Sequence, residues 1–434
     1  MTSGSIRVCS RCKTEPAVIL SRKELFCGSC FIRFISGKQR RHMGGDKFKV
    51  RFGTNIIREN VVFPCSFGKS SLVLLDIIFQ QFNEQLKNPR VWIGFHLDVV
   101  FVDDGEVSGY KNDVKEIIED IKKEYDTERF PVSFTIIPID AYSQGKQMKR
   151  ILVTPEFETL MNQMFQGEAK TVTEMLRIAP NRASRDDLQK VVIQELIMSH
   201  VIEQGATALI WGHNMSSLAG QVLALTVKGR GSEIHRHLTD YKDEIAGKEI
   251  DVIHPLRDVS QGEVEKFIKF RKLEKLLLIT TQDSSKLMNK QKTVDEVVLQ
   301  YYDTVDTADD NIVSTVVRTG AKLAEPKNYD GVKCIVCGGK IYNDPKVWLR
   351  DITYHGHRGP ETELEKELLK EWEANQKING VIRDSDDFET RSMCYGCIVT
   401  VGGHAKSTIT WPVRTDMAQK KEILDEFVID EEDD

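Results

Sequence analysis

The chain has 434 residues, of which 40% are hydrophobic and 29% charged, a composition typical of a globular protein with two or three domains. No run approaches the ~18 consecutive apolar residues of a membrane-spanning helix, and the N-terminus has no apolar signal core. We therefore expect a soluble, intracellular protein with no membrane partner. The net charge of −6 excludes a chain that is basic throughout, but it allows a local basic face.

The first predicted segment, residues 1–45, carries two CxxC pairs with fourteen residues between them, Cys9/Cys12 and Cys27/Cys30. A basic run begins within this segment and continues beyond it: Arg33, Lys38, Arg40, Arg41, Lys47, Lys49 and Arg51. Clustered lysine and arginine beside two CxxC pairs, which in this spacing are typical of a zinc knuckle, suit the phosphate backbone of a nucleic acid. We interpret these residues as candidate nucleic-acid contacts, and the alternative is a solvated charged face.

Two further CxxC pairs, Cys334/Cys337 and Cys394/Cys397, lie far down the chain with fifty-six residues between them. In a reducing compartment, CxxC pairs taken two at a time indicate metal binding rather than disulfides. Four thiolates suit a tetrahedral Zn²⁺ ion and leave no open position for chemistry. The spacing therefore predicts two structural zinc sites, and a redox dithiol is the alternative for a single pair.

Residues 46–289 alternate between strand and helix patterns, which predicts an α/β domain with a doubly wound parallel sheet and helices on both of its faces. In such sheets, ligands lie at the carboxyl ends of the strands. The predicted strands are 61–63, 91–102, 132–139, 206–211 and 250–253. The predicted helices begin near residue 72 and then cover 112–124, 188–203, 214–228 and 261–270.

The rest of the chain is predicted to form three segments. Residues 290–330 read as a connector with two short helices and no clear strand. Residues 331–410 hold the second CxxC set, which encloses a polar insertion with a charged helix at 360–374. Residues 411–434 form a tail that is acidic at its end, from Asp430 to Asp434.

A small polar loop, Ser66-Phe67-Gly68-Lys69-Ser70-Ser71, follows the first strand and precedes a helix, which is the setting of many phosphate-binding loops. It is not a Walker A loop, because that motif needs a glycine where this chain has Phe63. A second polar stretch, Gly212-His213-Asn214, follows the predicted strand 206–211, so both stretches are expected at the same edge of the sheet.

The first loop resembles the pyrophosphate loop of PP-loop ATPases, Ser-Gly-Gly-x-Asp-Ser, with matches at Ser66, Gly68 and Ser71. Phe67 replaces a glycine and Ser70 an aspartate. The second stretch resembles the family's Gly-His-Asn-x-Asp-Asp motif, with serine in place of both aspartates. The resemblance implies a sheet of the adenine nucleotide alpha hydrolase-like type. Three absent carboxylates make ATP binding doubtful, because magnesium needs carboxylate and phosphate oxygens.

The N-terminal zinc knuckle, the altered PP-loop domain and the late CxxC set together resemble the cytoplasmic tRNA 2-thiolation protein 2 family over nearly the whole chain. This resemblance implies the non-catalytic subunit of a cytoplasmic complex that 2-thiolates wobble uridine 34 of the tRNAs for Lys, Glu and Gln. The implied partners are a catalytic PP-loop subunit in a heterodimer, tRNA bound at the basic run, and a thiocarboxylated ubiquitin-like sulfur carrier.

The family also bears on the cofactors. Its catalytic relatives carry three cysteines inside the PP-loop domain for an iron–sulfur cluster or sulfur relay, whereas this chain has no cysteine from Ser66 to Lys333. We therefore expect no iron–sulfur cluster and no enzyme activity of the chain on its own. Two alternatives remain: an active ATP-dependent thiouridylase in which Lys69 and Ser70 hold a phosphate, and a zinc-ribbon adaptor without tRNA contact.

Overall fold

The computed structural model describes residues 8–52, 57–152, 169–179, 181–245, 247–281, 287–308, 310–327, 329, 331–342, 345, 359–360, 362–378, 393–402 and 408–412. The chain divides into two compact units. The first unit comprises Met1–Ala141, Val192–Val227 and Glu233–Ala324, and the second comprises Tyr142–Val191, Lys228–Ser232 and Glu325–Asp434. No described helix is both long and apolar enough to cross a membrane.

The first unit holds the central sheet and the N-terminal metal-ligand candidates. Its strands are β1 (Ile19–Ser21), β2 (Glu24–Phe26), β3 (Glu59–Pro64), β4 (Phe95–Asp103), β5 (Val132–Pro138), β7 (Ala208–Ile210), β8 (Tyr241–Ile245) and β9 (Lys248–Ile253). Its helices are α1 (Gly28–His42), α2 (Lys69–Leu86), α3 (Gly105–Ser108), α4 (Val114–Tyr125), α7 (Met215–Val227), α8 (Ile234–Leu238), α9 (Gln261–Arg271), α10 (Val294–Ala308) and α11 (Asp310–Gly320).

The second unit is smaller and its central pairing is antiparallel. Its elements are β6 (Met148–Leu152), α5 (Val172–Arg177), α12 (Glu363–Ile378), α13 (Tyr395–Gly402) and β10 (Thr408–Pro412). The boundary between the units falls inside α6 (Arg182–Glu203). Strand β10 pairs with β6 in the register Ile409 with Ile151, and the Trp411 side chain is fully buried.

The central sheet has six strands in the order β5-β4-β3-β7-β9-β8. The first five are mutually parallel, and β8 pairs with β9 in the antiparallel sense. The strand order reverses between β3 and β7, so the chain connections leave a crevice at the carboxyl ends of these two strands. The loop Ser66–Ser71 follows β3 and the stretch Trp211–Asn214 follows β7, so both lie at that crevice.

The α/β class predicted from the sequence is confirmed, but the sheet is mixed rather than wholly parallel. Strands β3 and β4 were recognisable because they are buried apolar runs, as is typical of central parallel strands. The edge strand β8 reads Tyr-Lys-Asp-Glu-Ile, and its charges gave no strand signal. The short strands β1, β2, β6 and β10 also went unpredicted.

The two helices predicted for residues 290–330 are present as α10 and α11. Both pack on α7 in an apolar cluster that includes Leu218, Val298 and Val313. They therefore contribute to a core of the first unit. The five segments inferred from the sequence stay a prediction about folding boundaries. The tail beyond Pro412 and the insertion residues His355 and His357 lie outside the described residues.

A buried carboxylate joins the N-terminal segment to the sheet domain. Glu263 lies in the first turn of α9. Its two carboxylate oxygens accept hydrogen bonds from Lys38 Nζ at 2.7 and 2.6 Å, and one of them also accepts from Ser21 Oγ at 3.0 Å. Arg22 Nε lies 3.2 Å away, and the backbone N–H of Ser260 donates at 2.9 Å. Burial lowers the pKa of Lys38, while the Glu263 charge opposes that shift. The Glu263 side chain thus holds both the hairpin and α1 to α9, and Lys266 on α9 adds a hydrogen bond to the Leu20 carbonyl at 2.8 Å.

We expect Glu263→Ala to lower the free energy of unfolding by about 3–5 kcal/mol, because it leaves the Lys38 ammonium buried without its carboxylate. Urea unfolding followed by circular dichroism measures the change. The control is Lys49→Ala, which removes an ion pair whose side chains are 61% and 87% exposed and should scarcely alter stability. Similar midpoints for the two variants would contradict the assignment of Glu263 as the anchor.

Candidate functional site

The loop after β3 has its second residue in a conformation that favours glycine. Phe67 has φ +50°, the left-handed region, and its side chain is fully buried. Its ring packs against Phe101 with centroids 5.7 Å apart, and its carbonyl accepts a hydrogen bond from the Leu278 N–H at 3.0 Å. The backbone therefore keeps the geometry of a glycine loop while a phenyl ring is anchored beneath it.

The polar groups of this loop are bonded to one another. The hydroxyls of Ser66 and Ser71 lie 3.4 Å apart, and the Gly68 N–H donates to Ser66 Oγ at 3.4 Å. Lys69 Nζ lies 2.6 Å from Glu265 Oε1 on α9, and this pair lowers the pKa of the Glu265 carboxyl against the effect of burial. The cation that a phosphate would need is therefore already paired with a carboxylate.

The Gly-His-Asn stretch is brought against the loop, and each residue has a packing role. A Cβ on Gly212 would lie 3.0 Å from Ser71 Oγ and 3.2 Å from Ser71 Cα, a tight approach that favours glycine there. Asn214 accepts from the Ser217 N–H at 2.8 Å, which caps α7. Its Nδ2 donates to Ser70 Oγ at 2.9 Å. These contacts explain the motif without a ligand.

His213 is a neutral, stacked side chain. Its ring lies 5.5 Å from Trp211 and 5.9 Å from His254, nearly parallel to both, and its Nε2 is 3.2 Å from Gln221 Nε2. Burial, with a smaller effect from His254, lowers the pKa of His213 to about 3. An uncharged imidazole offers no attraction to a phosphate at neutral pH, so His213 contributes packing at this edge of the sheet.

His42, the last residue of α1, lies between two carboxylates. Its Nδ1 is 3.4 Å from Asp240 and its Nε2 is 3.0 Å from Asp258. Hydrogen bonds to Asp240 and then Asp258 raise the pKa of His42 to about 9. Although burial acts in the opposite direction, His254 and His42 lower the pKa of Asp240. The charged His42 is a second tie between α1 and the sheet domain.

The first CxxC set forms one cluster of four sulfurs. Cys9, Cys12, Cys27 and Cys30 place their Sγ atoms within 4.8 Å of one another. The Cys12–Cys27 distance of 3.8 Å is close to the edge of a tetrahedron with ~2.3 Å zinc–sulfur bonds, roughly 3.8 Å. Cys27 and Cys30 lie at the N-terminus of α1. This donor set fits a metal ion.

The second set repeats this construction. Cys334, Cys337, Cys394 and Cys397 also lie within 4.8 Å of one another, with 3.7 Å between Cys337 and Cys394, and the last pair flanks the start of α13. In both clusters the fourth residue after the first cysteine has positive φ: Lys13 at +59° and Gly338 at +67°. Each donates its N–H to the carbonyl of that first cysteine, at 2.9 and 2.8 Å.

Arg230 adds a cation to the second cluster. Its guanidinium lies 3.6 Å from Cys397 Sγ, and the clustered thiolates raise the pKa of Arg230 despite burial. Lys228, two residues earlier, pairs with Asp187 at 2.6 Å. Both cations follow the Gly-His-Asn stretch in the chain, and each has a partner within the second unit.

The basic run does not form one open patch. Lys38 is buried against Glu263, whereas Arg33 is exposed and has no ion pair with another described residue. The remaining five cations each lie near a carboxylate: Arg40 with Glu84 at 2.6 Å, Arg41 with Asp258 at 3.8 Å, Lys47 with Asp251 at 2.8 Å, Lys49 with Asp46 at 2.6 Å, and Arg51 with Glu59 at 3.8 Å. A phosphate contact at Lys38 would require its buried ion pair to open.

Asp103, Asp104 and Cys65 have structural roles. Asp103 and Asp104 follow β4, where Asp103 accepts from the Gly105 N–H at 3.0 Å and Asp104 from Ser108 Oγ at 2.7 Å. They form the turn into α3. Cys65 is buried, and burial raises the pKa of its thiol to about 12, so it is a poor nucleophile.

Sequence comparisons match relatives along nearly the whole chain. The cytoplasmic tRNA 2-thiolation protein 2 of Debaryomyces hansenii is 33% identical over 98% of this chain and 96% of its own length. The proteins of the same name from Scheffersomyces stipitis and Yarrowia lipolytica are 32% and 33% identical, over 98% and 97% of this chain and 96% and 99% of their own lengths. A model of that family matches residues 293–399.

The chain belongs to the cytoplasmic tRNA 2-thiolation protein 2 family. The family predicted from the sequence is thereby confirmed, together with a role in cytoplasmic tRNA 2-thiolation. Among solved structures, the U34-tRNA thiolase NcsA from Methanococcus maripaludis with its [4Fe-4S] cluster is 17% identical, with a TM-score of 0.49 over 72% of this chain and 86% of that one.

We expect Phe67→Gly to destabilise the protein less than Phe67→Ala does, by about 1 kcal/mol. Both variants lose the buried ring, at a cost of about 3–5 kcal/mol, but only glycine relieves the left-handed backbone. The matched control is Phe63, which is equally buried in β3 and has no positive φ. There glycine should be the worse replacement. Thermal and urea unfolding measure which variant is the more stable at each position. If alanine were the better replacement at both positions, backbone strain at Phe67 would be contradicted.

Stability should fall between pH 6.5 and about 9 because His42 is protonated in the folded protein through that range and neutral in the unfolded chain. The contribution is fully present below pH 6.5 and is lost as pH rises through the folded pKa. We expect His42→Gln to flatten this decline by on the order of 1–2 kcal/mol in urea titrations across the range. Parallel curves for the two proteins would exclude His42 as the cause.

Proposed function

We propose that the chain is a non-catalytic subunit of the complex that 2-thiolates wobble uridine 34 of the cytoplasmic tRNAs for Lys, Glu and Gln. It binds tRNA and supports a catalytic PP-loop subunit in a heterodimer. The sulfur comes to that complex from a thiocarboxylated ubiquitin-like carrier. The chain on its own is not an enzyme.

The observation that carries this proposal is that the polar groups of the loop Ser66–Ser71 already have partners within the protein. Its cation, Lys69, is paired with Glu265, its hydroxyls bond to one another and to Asn214, and Phe67 fills the space beneath it. The positions where the PP-loop motifs have aspartate are Ser70, Ser216 and Ser217. Without those carboxylates, the two motifs lack the ligands that magnesium prefers beside a triphosphate. The loop therefore maintains the strand–helix turn.

Each cysteine cluster is proposed to hold one structural zinc ion. Four sulfurs within 4.8 Å of one another would fill the coordination of a tetrahedral ion and leave no position for water or substrate, so the ion would fix the fold rather than act on a substrate. The first cluster would order α1, which carries four of the seven cations of the basic run. We propose that the exposed cations of that run contact tRNA phosphates, with Arg33 free to do so at once and the others by exchanging their carboxylate partners.

Wobble-uridine thiolation in cells that lack this protein tests the proposal. Thiolated lysine tRNA is separated by retardation in a mercury gel, and rescue is compared between the wild type and two loop variants. One variant carries Lys69→Ala and Ser70→Ala. The other adds Ser66→Ala and Ser71→Ala. We expect both to restore thiolation fully, provided that each is stably expressed with two zinc ions per chain and binds the catalytic partner.

The matched control is Cys9→Ser with Cys12→Ser, which removes half of the first cluster and should not rescue. Failure of a stable loop variant that still binds the partner would overturn the non-catalytic role and support the thiouridylase alternative. If the wild type itself restored no thiolation, the chain would have no part in this modification.

A further inference from the structure

A cavity of about 260 Å³ lies in the first unit beside the Glu263 anchor. The hairpin β1–β2, helix α1, the segment after β9 and helix α11 each contribute to its wall. The residues lining it are Ser21, Arg22, Glu24, Phe26, Phe34, Lys38, Arg41, Asp258 and Arg318. Its volume is slightly below the ~300–1,000 Å³ of most small-molecule sites, so it suits one small unit of a larger ligand.

The acidic groups of this cavity are already neutralised. Glu24 pairs with Arg11 at 2.9 Å, and Asp258 lies 3.0 Å from the charged His42. Glu263 is matched by Lys38, and Arg22 Nε also lies 3.2 Å from it. The carboxylates therefore engage Arg22 in part but leave Arg41 at a longer distance and Arg318 without a charged partner among the described residues.

Those guanidinium groups face the cavity from three elements. Arg41 is 72% exposed and lies 3.8 Å from Asp258, a distance too long for a hydrogen bond. Arg22 donates to the Asp258 carbonyl at 2.7 Å and remains 38% exposed. Arg318 on α11 is exposed and has no charged partner among the described residues. Three forked donors around one cavity suit a phosphate group.

An aromatic ring lines the same cavity. Phe34 is partly buried and stacks on the fully buried Phe26, with centroids 5.0 Å apart and 26° between the planes. Lys38 Nζ lies 4.3 Å from the Phe34 centroid. A ring fixed from behind, beside arginine donors, offers an unstacked base an apolar contact next to the site of its phosphate.

We infer that this cavity binds a single nucleotide, with Arg22, Arg41 and Arg318 contacting its phosphate and Phe34 its base. The inference deepens the proposed function, on which it rests, because the nucleotide would belong to the bound tRNA. A free nucleoside monophosphate offers the same chemistry, and the experiment separates these two sources.

The test uses the full chain and compares Arg318→Ala with Arg90→Ala. Both arginines are exposed and both substitutions remove one guanidinium, but Arg90 lies outside the cavity and its side chain has no described partner. Neither change removes a contact that holds the fold. We expect Arg318→Ala to weaken tRNA binding roughly tenfold and to reduce the salt dependence of log K by ~0.7–0.9, and Arg90→Ala to do neither. Arg41→Ala should repeat the Arg318 result.

Uridine monophosphate and inorganic phosphate are titrated against the same proteins by calorimetry. Weaker tRNA binding by the Arg318→Ala variant would support tRNA as the source of the bound nucleotide. If wild type fails to bind tRNA but binds uridine monophosphate through Arg318, the nucleotide site stands and the proposed function fails. If wild type binds tRNA and both substitutions leave that binding unchanged, the inference about the cavity is overturned while the proposed function survives.

Discussion

The buried carboxylate of Glu263 is the constraint on which the first unit depends. Both of its oxygens accept hydrogen bonds from the Lys38 ammonium. One oxygen also accepts from the Ser21 hydroxyl, and the other accepts from the backbone N–H of Ser260, the N-cap residue of α9. A buried carboxylate is tolerated only when such partners surround it. The hairpin, α1 and α9 therefore meet at this carboxylate, and the cavity with its arginines lies beside it.

The loop Ser66–Ser71 lies at the crevice after β3 and β7, and Phe67 has a left-handed backbone there. The Phe67 ring occupies the space beneath the turn, and Glu265 pairs with Lys69. A strand–helix turn needs this backbone shape with or without a ligand.

Much of this arrangement was readable in the sequence. The CxxC spacing predicted both four-sulfur clusters, and apolar runs predicted β3 and β4. Ion pairs between residues far apart in the sequence could not be predicted. The residues around Lys69 and Lys38 do not indicate that Glu265 pairs with the first or that the second is buried. A signal for Glu263 did exist, since Ser260-x-x-Glu263 is a capping box, but its second role depends on tertiary contacts. The edge strand β8 was missed because three of its five residues are charged.

Helix α1 begins at the first cysteine cluster, with Cys27 as its N-cap, and presents Lys38 to Glu263 about three turns later. An ion held by the first cluster would therefore stabilise the same helix as docking onto α9. By linkage, each would strengthen the other, so part of the affinity for the ion would come from the folding free energy of the sheet domain. Metal scarcity would then loosen contacts far from the thiolates, and destabilising the sheet domain would hasten metal exchange.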